Sequence, residues 1–196
     1  MEAAHLGSRL VGSGMDLADG LAMMGTEPFP FHSADALFTD EGQLRTEAVE
    51  RLHRWQAPAF ALAAATAASP GRSIGIPTWL YGHEPPTPLA TLHAKYFENS
   101  IREDGLLTVA TGGVVFAPGK AGTLQEIFQD AAQNHYRTTG FASPMIFLGT
   151  RYWQHTKPVY PLLQQRAAGE PYRDLLCITD SVDEAVERLK AFKPPA

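Results

Sequence analysis

Glu126 closes the run Val114-Val115-Phe116-Ala117-Pro118-Gly119-Lys120-Ala121-Gly122-Thr123-Leu124-Gln125-Glu126, the stretch whose residue types and spacing best suit chemistry. A short apolar run stops at Pro-Gly, passes through small residues and enters an amphipathic segment. That order predicts strand, tight loop and helix N-terminus, with a carboxylate in the first helical turn. The first N–H groups of a helix lack intrahelical partners, and together with the helix dipole they favour an anion, by about 0.3–1 kcal/mol at exposed sites. Gly119 and Gly122 permit close backbone approach and positive φ, Ala121 keeps the loop narrow, Thr123 offers a hydroxyl and Lys120 a charge. Residues Pro118, Gly119, Lys120, Ala121, Gly122 and Thr123 thus form a candidate phosphate loop. A carboxylate beside a phosphate suits nucleotide chemistry: Glu126 would steady the cationic sugar that develops as an N-glycosidic bond breaks, or orient a water. A plainer reading is equally open. Thr123 and Glu126 have capping-box spacing, worth about 1 kcal/mol, and the loop could be a turn with no ligand.

A second group precedes the loop in His93-Ala94-Lys95-Tyr96-Phe97-Glu98-Asn99-Ser100-Ile101-Arg102. If residues 89–101 are helical, Lys95, Asn99 and Arg102 share one flank at i, i+4, i+7 spacing and could grip a phosphate or ribose. The alternative is a solvated face paired with Glu98 and Glu103. His93 and His83 are weak signals by themselves. The seven histidines show no metal-ligand spacing, neither a Walker A sequence nor a G-x-S-x-G elbow occurs, and nothing marks a lysine as a pyridoxal-phosphate anchor, so no metal and no cofactor are expected. Cys177, the single cysteine, excludes an intrachain disulfide and reads as a core residue of a strand.

Around these residues the second half alternates strand and helix. Strands are expected at 72–77, 114–117, 144–149 and 175–179. Helices are expected at 89–101, 123–136, 159–168 and 181–192. Leu124, Ile127, Phe128 and Ala131 make the apolar stripe of the second helix, and Val182, Ala185, Val186 and Leu189 that of the last, which Ser181 and Glu184 cap. Continuous apolar strands separated by helices argue for an α/β fold: a Rossmann-like parallel sheet flanked by helices on both faces, with ligands at the carboxyl ends of the strands. The first seventy residues are less regular. Helices are expected at 1–11, 47–55 and 60–68, a short one at 35–37, and breaks at Pro28, Pro30 and Pro58. Residues 12–20 give no clear strand.

A chain of 196 residues with 44% hydrophobic and 19% charged residues fits one domain with a sizeable core. A net charge of −5 without a basic block gives no support to nucleic-acid binding. No segment reads as a signal peptide or a membrane span, so a cytoplasmic setting without membrane partners is expected.

The motif Pro-Gly-x-x-Gly-Thr-x-x-Glu resembles the signature of the LONELY GUY (LOG) family, also labelled lysine decarboxylase-like. Its members have a Rossmann-like fold, and characterised ones hydrolyse nucleoside 5′-monophosphates to free base and ribose 5-phosphate. The resemblance covers roughly residues 70–192. Pro118, Gly119, Gly122, Thr123 and Glu126 match it, while Lys120 stands at the usual second glycine. Leu92-His93-Ala94-Lys95 is similar to the family's Met-His-Glu-Arg segment, with Lys95 where the family has a catalytic or substrate-binding arginine, and Arg102 is the candidate substitute. The resemblance implies Glu126, Lys95 and Arg102 as catalytic residues, and Glu2, His93 and Asn99 as substrate contacts. The implied partner is a nucleoside monophosphate or related nucleotide, and the expected assembly is a homodimer. A non-catalytic nucleotide-binding or sensing module is the alternative. The opening Met1-Glu2-Ala3-Ala4-His5-Leu6-Gly7 resembles the end of the family's Gly-Gly-Gly-Pro-Gly-x-Met-Glu-Ala motif, which predicts a single Rossmann domain entered after its first strand-helix-strand.

Overall fold

The computed structural model describes residues 2–31, 34–77 and 86–195, in which helices alternate with short parallel strands, an α/β, Rossmann-like arrangement. His83 lies outside the described residues. The chain forms two compact units, Met1–Arg102 and Glu103–Ala196. Among the described residues no helix is long and apolar enough to cross a membrane.

The first unit contains α1 (Glu2–Ser13), α2 (Leu17–Met24), a 3-10 turn (Ala34–Leu37) and α3 (Thr46–Ala65), then β1 (Ile74–Gly75), β2 (Leu92–His93) and the start of α4 (Asn99–Val109). Helix α2 had no counterpart in the sequence reading. Asp16 caps it, its Oδ1 accepting from the Ala18 N–H at 2.7 Å. Gly20 sits inside this helix because Leu10 occupies the space of its side chain: a Cβ there would lie 2.6 Å from Leu10 Cδ2. Pro58 does not break α3 as expected, since the helix runs through it. Ala59 and Leu62, just beyond the proline, bury against Leu6, Leu10 and Leu89, and that burial outweighs one missing helical hydrogen bond.

Strands β1 and β2 pair in parallel, Ile74 beside Leu92 and Gly75 beside His93. The Leu92 N–H donates to Ser73 O at 3.0 Å and the Ala94 N–H to Gly75 O at 3.1 Å. Thr91 Oγ1 adds two bonds to the Ser73 backbone, accepting from its N–H at 2.8 Å and donating to its carbonyl at 2.9 Å. The expected helix over 89–101 is therefore absent: its first half is strand and extended chain, and α4 begins only at Asn99.

The second unit holds β3 (Val114–Phe116), α5 (Ala121–Tyr136), β4 (Met145–Leu148), a π-helical turn (Tyr152–Thr156), α6 (Val159–Arg166), a 3-10 turn (Pro171–Leu175), β5 (Leu176–Thr179) and α7 (Val182–Ala191). The sheet order is β3-β4-β5, all parallel. Alternation along the strands sends Phe116, Met145, Phe147 and Leu176 into a core with Ile127, Trp153, Tyr160 and Leu163. Ile146 and Cys177 belong to a second cluster with Ala185 and Leu189 of α7. Both faces of this sheet are thus covered by helices. Cys177 is buried, which pushes its thiol above the usual range, as suits an inert core residue. Phe128 is 44% exposed and Val182 63%, so the expected stripes narrow to Leu124 and Ile127 with Ala131 and to Ala185 with Leu189. Ser181 caps α7 as expected, accepting from the Glu184 N–H at 3.2 Å, but the Glu184 carboxylate accepts from Thr179 Oγ1 at 2.6 Å rather than closing the box on Ser181.

Arg9 is the polar centre of the first unit. Its buried guanidinium donates to the carbonyls of Leu89, Ala63, Pro88 and Ala90 and to Thr66 Oγ1. One side chain thereby joins α1, the C-terminal end of α3 and the turn leading into β2, and Ala63 O and Thr66 lie at the helix end where a cation is favoured. Replacing Arg9 by Met strands those carbonyls while keeping much of the side-chain volume. Arg9→Met is expected to lower unfolding stability by about 2–4 kcal/mol, read as a lower urea midpoint at unchanged slope. An unchanged midpoint would show that the guanidinium does not hold these elements together.

Candidate functional site

In the second unit β3 delivers the chain at Phe116 to the carboxyl end of the sheet, and α5 starts at Ala121. Lys120 is the N-cap residue with φ −106° and ψ −153°, and it gives no side-chain cap. Two details of the sequence reading are corrected. Thr123 is the third residue of the helix rather than its cap, so the Thr123–Glu126 capping box does not form. Glu126 lies in the second turn, since the first has no acidic residue. The first helical bond runs from the Leu124 N–H to Lys120 O at 3.2 Å, which leaves the N–H groups of Ala121, Gly122 and Thr123 as the helix's uncapped donors. Glu126 is half-buried on the same helix, one turn beyond them.

The two glycines serve different needs, and neither adopts positive φ. A Cβ on Gly119 would lie 2.1 Å from Thr123 Oγ1 and 2.7 Å from Thr123 Cβ, so Gly119 makes room for the threonine side chain folded back over the loop. A Cβ on Gly122 would meet nothing within 4 Å. No packing within the protein demands glycine there. Lys120 occupies the family's second glycine position in extended backbone, which any residue adopts.

A shelf of residues that sequence reasoning did not identify supports this loop. Gly149, at φ +106°, turns the chain out of β4, and a Cβ there would touch Pro118 Cγ at 3.5 Å. Tyr152 Oη donates to Gly119 O at 2.6 Å. Trp153, fully buried, donates its indole N–H to Phe116 O at 3.2 Å and to Leu148 O at 3.1 Å. Asp180 Oδ1 accepts from the Thr150 N–H at 2.7 Å, and the Gly149 N–H donates to Thr179 O at 3.0 Å. The available signal was an aromatic pair just past the glycine that ends β4, in a π-turn of the kind often found at functional sites.

The first unit positions the remaining candidates. Lys95 lies outside any helix, between β2 and α4, so the expected Lys95–Asn99–Arg102 helical flank does not exist. Asn99 and Arg102 do sit together in the first turn of α4: Arg102 is buried, its Nε donates to Ile76 O at 2.9 Å and an Nη to Asn99 Oδ1 at 3.2 Å. His93 Nε2 lies 2.8 Å from Thr87 O. Both groups fall at the carboxyl ends of the β1–β2 pair, where ligands of parallel sheets bind. Glu2 begins α1. Among the described residues no group of three or more His, Cys, Asp or Glu side chains is placed to hold a metal ion.

One turn beyond Glu126, Asp130 is buried on α5. Asn134 Nδ2 approaches its Oδ1 at 3.4 Å, while Oδ2 meets no hydrogen-bond donor among the described residues. Burial raises its pKa from 3.8 to about 7. Asn134 also bonds both backbone groups of Ser143, at 2.8 and 3.2 Å, tying α5 to the segment entering β4.

The family described as "Possible lysine decarboxylase" matches residues 59–189, well over half of the chain. Among curated proteins none matches the chain.

The burial of Asp130 has a measurable sign. Below pH 3.8 the carboxyl is protonated in both folded and unfolded chains; between 3.8 and about 7 only the unfolded chain has lost the proton, so stability falls as pH rises through that window. Asp130→Asn removes this contribution. The variant is expected to be more stable than the parent at pH 8, with the two melting temperatures converging near pH 4. Parallel curves across that range would show that Asp130 titrates normally.

Proposed function

The chain belongs to the "Possible lysine decarboxylase" family, and on that premise we propose that it is a nucleoside 5′-monophosphate phosphoribohydrolase, releasing free base and ribose 5-phosphate. The observation that carries this reading is the uncapped start of α5, open at Gly122 and followed one turn later by Glu126. The 5′-phosphate would accept hydrogen bonds from the N–H groups of Ala121, Gly122 and Thr123, aided by the helix dipole. As the bond between C1′ and the base nitrogen lengthens, positive charge develops on the ribose ring, and a nearby carboxylate stabilises it. Glu126 would meet that charge and orient the water whose oxygen bonds to C1′, one water proton leaving with the base. The resemblance gives Lys95 and Arg102 a share in neutralising the phosphate.

The lysines at positions 95 and 120 favour the second reading, a nucleotide-binding module without catalysis. The extended backbone of Lys120 weakens that case, because the loop needs no glycine at this position.

The test is incubation of the purified chain with AMP, CMP, GMP and UMP, followed by chromatography for free base and detection of ribose 5-phosphate. Release of base from one of them is expected, with Glu126→Gln lowering kcat by about 10²–10⁴ while nucleotide binding persists. Binding without release would establish the non-catalytic module, and absence of both would reject the phosphate site. Gly122→Ala separates ligand from packing. Its melting temperature is expected to equal or exceed the parent's, since alanine is the better helix former, while nucleotide affinity falls about tenfold or more, a difference of 1.4 kcal/mol. Unchanged affinity would remove Gly122 from the site.

A further inference from the structure

We propose that Tyr152 is a positioning residue for the phosphate loop, acting through its hydrogen bond to Gly119 O rather than by touching the nucleotide; the inference rests on the phosphate-site reading of the α5 N-terminus. The bond is short, 2.6 Å from Tyr152 Oη to the Gly119 carbonyl. In a trans peptide the carbonyl and the following N–H point to opposite sides of one rigid plane. Fixing Gly119 O toward Tyr152 therefore fixes the Lys120 N–H away from it. Lys120 is the residue from which α5 departs, and its own carbonyl accepts the first helical bond, from Leu124. One phenol thus sets the orientation of the peptide on which the helix start is built.

The phenol is itself held from several sides. Its ring packs edge-on against Trp153, with centroids 4.9 Å apart. Trp153 is fully buried and bonded to the last carbonyls of β3 and β4, Phe116 O and Leu148 O. The Trp153 N–H donates to Gly149 O at 3.1 Å, and the Lys157 N–H closes the π-turn on Tyr152 O at 2.7 Å. Gly149, at φ +106°, makes the turn that brings this segment against Pro118. Tyr152 therefore reaches the loop from a shelf anchored in the sheet, while the loop has no side-chain cap of its own at Lys120. Preorganised donors of this kind are effective because binding requires no rearrangement of the backbone.

Tyr152→Phe deletes only the hydroxyl and keeps the ring on Trp153. Two measurements test the role. In the ligand-free chain, amide hydrogen exchange at Leu124, whose N–H closes the first helical bond on Lys120 O, is expected to speed up about fivefold or more, with the amides of β4 and α6 unchanged. With nucleotide, KM, or the Kd for AMP and for inorganic phosphate, is expected to rise about fivefold while kcat stays within about twofold, the split that a lost binding geometry produces. Unchanged exchange at Leu124 overturns the proposal, and so does faster exchange spread over the whole sheet, since that would make Tyr152 a general packing residue. If the parent chain binds neither AMP nor inorganic phosphate, the phosphate-site reading is what fails, and the exchange data alone decide whether Tyr152 holds the peptide.

Discussion

The indole N–H of Trp153 reaches two carbonyls at once, the last of β3 and the last of β4. A parallel sheet leaves the carbonyls at the carboxyl ends of its strands without ladder partners, at the edge where loops must leave and ligands arrive. One buried donor satisfies two of them, from a ring packed at 5.5 Å against Phe147 in the middle strand. The position of Tyr152 follows from that bond, and the Tyr152 phenol in turn holds Gly119. The cap residue of the loop from Pro118 to Thr123 offers no side-chain bond, and within the loop the Thr123 side chain folds over Gly119. The conformation of the loop is therefore set largely by the chain that follows β4, some thirty residues later.

That dependence explains what was legible in the sequence. Strands β3, β4 and β5 and helices α5, α6 and α7 all announce themselves by apolar runs and helical periodicity, because each buries one face against its neighbours. The segment around Leu92 misled for the same reason. Leu92 and Tyr96 stand four apart and mimic a helical stripe, whereas the decisive interactions are the Thr91 hydroxyl on the Ser73 backbone and the β1–β2 pairing, both with residues eighteen positions away. Helix α2 was invisible because Gly20 looks like a breaker until Leu10 is seen filling its place. Of the site, the loop and Glu126 could be read locally. Tyr152 could not, since a tyrosine bonded to a distant carbonyl leaves no periodic trace.

Two buried polar groups show how differently such groups can be treated. Arg9 is surrounded by carbonyls and a hydroxyl at a helix C-terminus, so its burial organises the first unit. Asp130 meets one long amide contact and shifts its pKa to about 7, so its burial opposes folding at neutral pH. A carboxylate kept at such a disadvantage invites a functional explanation. Its neighbour supplies a structural one as well: Asn134 uses its amide on Ser143, and the pair sits where α5 must meet the segment entering β4.

The glycines of the loop divide packing from binding. If the loop were only a turn, both would have to be explained by space or by backbone conformation. Gly119 is: its missing side chain is occupied by Thr123. Gly122 is not. It lies within a regular helix, where glycine costs up to about 1 kcal/mol relative to alanine, it has no positive φ, and nothing lies within 4 Å of where its side chain would be. Lys120 makes the same point from the other side, since a position that tolerates a lysine in extended backbone places no demand for glycine. Within this loop the residue that packing leaves unexplained is Gly122, beside the uncapped N–H groups of α5. Under the proposed function, a close approach by the phosphate would account for it.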